Sequence, residues 1–235
     1  MPQQVGDGFY FTADVNGGDS DWRLVFLDCF QIATIGYEEE DARQDEAREV
    51  FRANNPKALQ TGVDWFTDVP IEKHRYCAFN GGLGKTQIAW LRTTLQTARE
   101  DKKAVIIFTH VPIYEPASSP KTIIFESEEV LEIFSEYKDV VRIVFAGHDH
   151  DGGFAMDPAG IPHATLVSPM MVAREPGVDC CAIVTLNSSS SEKKATAKIT
   201  FYGNALPKGA WDERTQEKLS GEFLASGEFL REFQF

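Results

Sequence analysis

The sequence predicts an α/β fold, and three observations carry that prediction. Two strongly apolar runs, Ala104–Thr109 and Val140–Ala146, have the length and branched side chains of buried strands. Each follows a stretch with helical periodicity, the alternation that parallel sheets with helical crossovers require. After residue 150 this alternation gives way to short strands with no helix between them.

The elements follow in order. Phe9–Ala13 and Trp22–Asp28 read as strands joined by the turn-forming Asn16-Gly17-Gly18-Asp19. The second is almost wholly apolar past Arg23 and belongs deep in a sheet, with Asp28 as a loop cap at its end. Glu38–Ala53 is rich in helix formers, has acids in its first turn and places Glu39 to pair with Arg43. Asn54-Asn55-Pro56 ends it. Its thin apolar stripe, Ala42, Ala47, Val50 and Phe51, predicts a helix on the surface.

Residues 56–84 read as irregular. Gly84-Lys85-Thr86 has the ending of a phosphate-binding loop, but that motif needs a glycine where Phe79 stands, so Gly84 marks the start of a helix instead. That helix, Thr86–Glu100, puts Ile88, Leu91, Leu95 and Ala98 on one face. A second helix over Glu128–Tyr137 has Ser127 as its expected N-cap and Val130, Leu131, Phe134 and Tyr137 as its stripe.

Beyond residue 150, His163–Val167, Cys180–Leu186 and Ala195–Tyr202 read as strands. The last two flank the polar turn Asn187–Lys194, and Ala197, Ile199 and Phe201 alternate with polar residues as in a hairpin with one buried face. Residues 206–235 form a tail that spells SGEFL twice, and its Phe223, Phe229, Phe233 and Phe235 need a surface to dock on. The chain thus divides into residues 1–205 and the tail 206–235.

Composition narrows the function. With 23 basic and 36 acidic residues the formal charge is −13, which argues against nucleic acid or an anionic membrane as partner. No apolar run approaches the roughly 20 residues of a membrane span, and the first residues lack the layout of a signal peptide, so a cytoplasmic location is expected. Cys29, Cys77, Cys180 and Cys181 form no CxxC pair and read as reduced thiols. The sequon Asn187-Ser188-Ser189 carries little weight without a secretory signal.

The chemistry concentrates in three histidines. His110 follows one apolar strand, and Gly147-His148-Asp149-His150 follows the other. Ligands in open α/β sheets bind outside the carboxyl ends of strands, where loops converge. Neutral imidazole is a common ligand for divalent metals, and His148 and His150, two apart, lean to one side in extended backbone. Gly147 is expected to leave room at the strand end, and Gly152-Gly153 to let the chain turn away. His74 and His163 read as ordinary satisfied histidines. Asp151 is a candidate to orient a ligand histidine, set against a plain surface acid. Asn80, Gly81 and Gly82 are candidates for a substrate loop, set against a plain turn before the helix.

Residues 79–168, with their NGG…Q…WL, THVPIY and GHDHDGG runs, resemble the C-terminal half of the calcineurin-like metallophosphoesterases, most of all the manganese-dependent ADP-ribose/CDP-alcohol diphosphatases. The likeness runs weakly back through WRLVFLD, forward to about Gly203, and does not cover the tail. It implies part of a four-layer α/β/β/α sandwich with two metal ions at its carboxyl edge. His110 and His148 would bind one ion and His150 the other. Manganese is the implied metal, with zinc, iron or magnesium as substitutes, and a small-molecule nucleoside diphosphate–X the implied substrate, hydrolysed at its diphosphate bond.

The family's carboxylate-bearing motifs, including the bridging aspartate, do not appear upstream of His110. The chain is therefore expected to lack the N-terminal half of the fold, to leave a sheet edge exposed and to hold one ion weakly. Alternative readings are a non-catalytic nucleotide-binding remnant and a structural zinc protein using the same histidines.

Overall fold

The computed structural model describes residues 9–15, 21–38, 41–172, 180–187, 196–203 and 229–234. The Asn16–Asp19 turn, Glu39, the turn over 188–195 and tail residues 204–228 lie outside the described residues.

The main sheet has six strands. β1 (Phe11–Asp14) and β2 (Trp22–Phe26) form an antiparallel pair, and β2, β5 (Ala104–Phe108), β6 (Val141–Ala146) and β8 (Pro162–Thr165) run parallel. β7 (Gly153–Met156) closes the far edge antiparallel to β8. The order is β1-β2-β5-β6-β8-β7. The crossover helices are α2 (Gly84–Glu100), between β2 and β5, and α3 (Ser127–Glu136), between β5 and β6. Leu91 and Leu95 of α2 and Val130 and Phe134 of α3 pack on Val25, Val105, Ile107 and Val144 of the sheet. Alternate residues of those strands point to the opposite face, where Trp22, Ile106, Ile143 and Phe145 meet a second sheet.

That second sheet is antiparallel, in the order β11-β10-β9, from β9 (Cys180–Asn187), β10 (Thr196–Gly203) and β11 (Phe229–Gln234). Ala197, Ile199 and Phe201 of β10 are buried against the main sheet, as their alternation predicts. β11 comes from the tail, so part of that segment adds a strand to this sheet. The described residues thus build helix, sheet and sheet layers of an α/β sandwich. Cys181 and Ile183, which point outward from β9, are exposed. The outer edge of β9 has no strand partner among the described residues, and an open apolar cleft of about 210 Å³ lies between Phe108, Phe145, Leu166, Ala182 and Val184.

A third cluster sits to one side. α1 (Ala42–Asn54) buries Ala47 and Phe51 against Ile32 and Phe125. It therefore has a packed face as well as the solvated one its charges predict. Arg43 pairs with Asp41, the helix N-cap, at 2.8 Å. Beside it, β3 (Ile32–Ala33) and β4 (Gly81–Gly82) make a two-stranded ribbon. Gln87 of α2 grips the backbone of Asp28 at both ends, accepting from its N–H at 2.8 Å and donating to its carbonyl at 2.9 Å. The end of β2 is fixed to the helix in this way. A short helix, α4 (Pro169–Val172), follows β8. No helix among the described residues is long and apolar enough to cross a membrane.

Candidate metal centre

The parallel ladder between β5 and β6 brings two histidines together. Past the last strand pair, Thr109 N–H donates to Phe145 O at 3.0 Å and Gly147 N–H to His110 O at 3.0 Å. Residues 38 apart in sequence therefore end side by side at the carboxyl edge. His148 Nδ1 lies 3.3 Å from His110 Nε2. Its other ring nitrogen, Nε2, lies 2.8 Å from Asn80 Oδ1. His148 adopts φ of +64°, a left-handed conformation uncommon for a residue with a Cβ. Gly147 is not demanded by space, since a Cβ there would meet His110 Nδ1 at an ordinary 3.6 Å.

Burial and neighbouring imidazoles act in the same direction on both rings. Burial lowers the pKa of His110, helped by His150. Burial pushes His148 down to about 4, with His110 and His150 adding to it against the opposing pull of Asp149. Both rings are thus neutral near pH 7, the form that carries a free lone pair.

The third predicted ligand, His150, acts on both rings through its charge. His150 is exposed, and its carbonyl accepts from Ser168 N–H at 3.1 Å. Among the described residues no group of three or more histidine, cysteine, aspartate or glutamate side chains is placed to hold a metal ion. The close contact joins His110 to His148, while His150 lies near enough for its charge to lower the pKa of both rings.

The nearby carboxylates have other work. Asp149 is buried and accepts from Ser118 Oγ at 2.9 Å, Thr122 Oγ1 at 2.9 Å and Asp151 N–H at 3.1 Å. Asp151, proposed as the orienting acid, is exposed. Asp28 accepts from Phe30 N–H at 3.1 Å, a loop cap as predicted. Glu126 accepts from the amides of Leu83 and Gly84.

Asn80, Gly81 and Gly82 are buried, and Gly81 and Gly82 form β4 just ahead of α2. Asn80 is 0% exposed. A Cβ on Gly81 would sit 2.4 Å from Cys29 O, so glycine there serves close packing of the β3–β4 ribbon. His74 and His163 are satisfied by Val69 O and Asp157, as expected. Cys29, Cys77 and Cys181 are free thiols.

Sequence reasoning missed the aromatic wall around the pair. Phe30 lies 5.8 Å from the His110 ring and 6.3 Å from that of His148, and Phe79 lies 5.9 Å from His148. Trp65 continues the wall 6.2 Å beyond Phe79. Phe79 directly precedes the buried Asn80, but no local periodicity marks either residue.

The nitrogen pair supplies two of the donors that one ion needs. Two ligands held tetrahedrally at about 2.0–2.1 Å stand about 3.3–3.4 Å apart, close to the 3.3 Å seen here. The described residues do not assemble the group of three or more such side chains that each ion of a two-ion cluster needs.

Comparison with known proteins agrees with this architecture. A protein from Oryza sativa subsp. japonica named manganese-dependent ADP-ribose/CDP-alcohol diphosphatase is 33% identical over 146 residues, covering 62% of this chain and 44% of its own length. Its namesake from Arabidopsis thaliana is 31% identical over 166 residues, covering 71% and 51%. The chain therefore spans about half the length of these relatives, 44% and 51%. A crystal structure of a dimetal phosphatase from Danio rerio superposes with a TM-score of 0.64 at 24% identity, over 84% of this chain and 55% of that one, and so shares the fold. The model of the calcineurin-like phosphoesterases matches residues 17–152, which hold both members of the imidazole pair and the strands that deliver them. The chain belongs to the calcineurin-like phosphoesterase family.

Proposed function

We propose that this chain carries the histidine side of a metal-dependent phosphoesterase site for a diphosphate linkage, of the nucleoside diphosphate–X type that ADP-ribose and the CDP-alcohols represent. The observation that carries the reading is the nitrogen pair of His110 and His148, 3.3 Å apart at the carboxyl edge of a parallel sheet. A divalent ion bound there supplies positive charge to a phosphate that the chain, at −13, otherwise lacks. Partial burial lowers the pKa of both imidazoles and favours their neutral, metal-binding form. Phe30, Phe79 and Trp65 exclude water from one side and offer flat apolar faces to the remainder of a nucleotide. The names of the relatives support manganese and this substrate class.

The donor count favours a second reading for the described residues taken alone. Two imidazoles without a carboxylate hold one ion and no bridging water, which suits a nucleotide-diphosphate-binding module. Incubation of the 235-residue protein with MnCl2 and ADP-ribose or a CDP-alcohol, with release of nucleoside monophosphate as readout, separates the two. Hydrolysis abolished by His148→Ala assigns catalysis to this chain. Binding of the nucleotide without hydrolysis assigns the module.

A further inference from the structure

Asn80 is fully enclosed, and its amide group has one orientation. The NH2 donates to Arg75 O at 2.8 Å and to Lys121 O at 2.7 Å, both carbonyls that only accept. The amide oxygen is thereby turned toward His148 Nε2, 2.8 Å away. An amide oxygen has no proton to give, so the hydrogen between them belongs to Nε2. A neutral imidazole carries a single N–H, which leaves Nδ1 with its lone pair. Nδ1 is the atom that faces His110 Nε2.

We propose that Asn80 is a positioning residue that holds His148 in the Nε2–H tautomer, so that Nδ1 joins His110 Nε2 as the nitrogen pair for one divalent cation. The proposal rests on the metal-site reading above. The two carbonyls come from separate segments, the turn before β4 and the loop between β5 and α3, so the tautomer is set by tertiary structure. Without the amide oxygen the ring is free to place its hydrogen on Nδ1, where the cation must bind. Partners of this kind typically change metal affinity by about 10–100-fold.

The test uses the full chain with 15N-labelled histidine side chains, in which the His148 signals are identified by their loss in His148→Ala. Nitrogen NMR at pH 8 is expected to show Nε2 protonated and Nδ1 bare, with the Nδ1 signal moving when ZnCl2 is added. The opposite tautomer with zinc still bound overturns the role of Asn80 and leaves the metal reading standing. Absence of zinc binding overturns both. In Asn80→Ala, with the fold checked by circular dichroism, a mixture of tautomers and zinc affinity lowered by at least about tenfold are expected. A folded variant with unchanged tautomer and affinity overturns the proposal. If that variant does not fold, the wild-type spectrum decides.

Discussion

Glu126 Oε1 accepts a hydrogen bond from the amide of Gly84 at 3.0 Å, across 42 residues, and its Oε2 accepts from Leu83 N–H at 3.1 Å. The first turn of α2 is therefore capped from the start of α3. Burial raises the Glu126 pKa, and the Gly84 and Leu83 bonds oppose that rise. Glu126→Ala leaves two amide donors without an acceptor and is expected to lower stability by about 1–3 kcal/mol. Urea denaturation measures it, and Glu126→Gln, which keeps one acceptor, is expected to lose less.

Gly153 opens β7 against the loop that follows β5. A Cβ at this position would stand 2.3 Å from Ala117 O, a backbone atom with no rotamer to yield. Gly153→Ala is expected to cost about 1–3 kcal/mol through backbone displacement. The neighbouring Asp149 bonds to Ser118 and Thr122 share that loop. Faster amide hydrogen exchange over residues 115–122 is expected along with the lowered melting temperature.

Metal binding distinguishes the pair from the third histidine. Imidazole donors without carboxylates favour zinc over manganese, which sits at the weak end of the divalent series. Calorimetric titration is expected to give one zinc ion per chain and manganese weaker by at least about tenfold. His110→Ala or His148→Ala is expected to abolish the site, whereas His150→Ala, which removes neither member of the 3.3 Å pair, is expected to leave zinc affinity within about twofold.

His163 supplies a pH signature. It is 3% exposed, and burial lowers its pKa from 6.5 against the opposing pull of Asp157, 3.3 Å away. A base with a lowered folded-state pKa contributes stability that is full above its unfolded value and is lost as pH falls below about 6.5. The urea midpoint of the wild type is expected to fall between pH 7.5 and 5.5. His163→Gln, which does not titrate, is expected to fall less over the same interval.

The parts of the fold that were legible in the sequence are those with local signals. β5 is apolar on both faces, β6 is apolar apart from Arg142, and α2 keeps its stripe at Ile88, Leu91, Leu95 and Ala98, so each reads from its own residues. β7 was missed because Gly-Phe-Ala-Met opens on a residue without a side chain and has no alternation. The β3–β4 ribbon is two residues a side, too short for any period. Ser127 reads as an N-cap, but its hydroxyl donates to Ile113 O at 2.7 Å, and Glu126 occupies the cap position. At the site, His110 and His148 were legible because each ends a recognisable strand. The role of Asn80 was not, because its partners Arg75, Lys121 and His148 meet it only through tertiary packing.

The left-handed backbone at His148 is held in place by what surrounds the residue rather than by its own preference. That conformation costs a residue with a Cβ about 1–2 kcal/mol, and the ring is restrained by Asn80 on one nitrogen and His110 on the other. The strain at residue 148 is therefore offset by packing contributed from distant segments, so the order of the site is expected to follow the integrity of the fold around it.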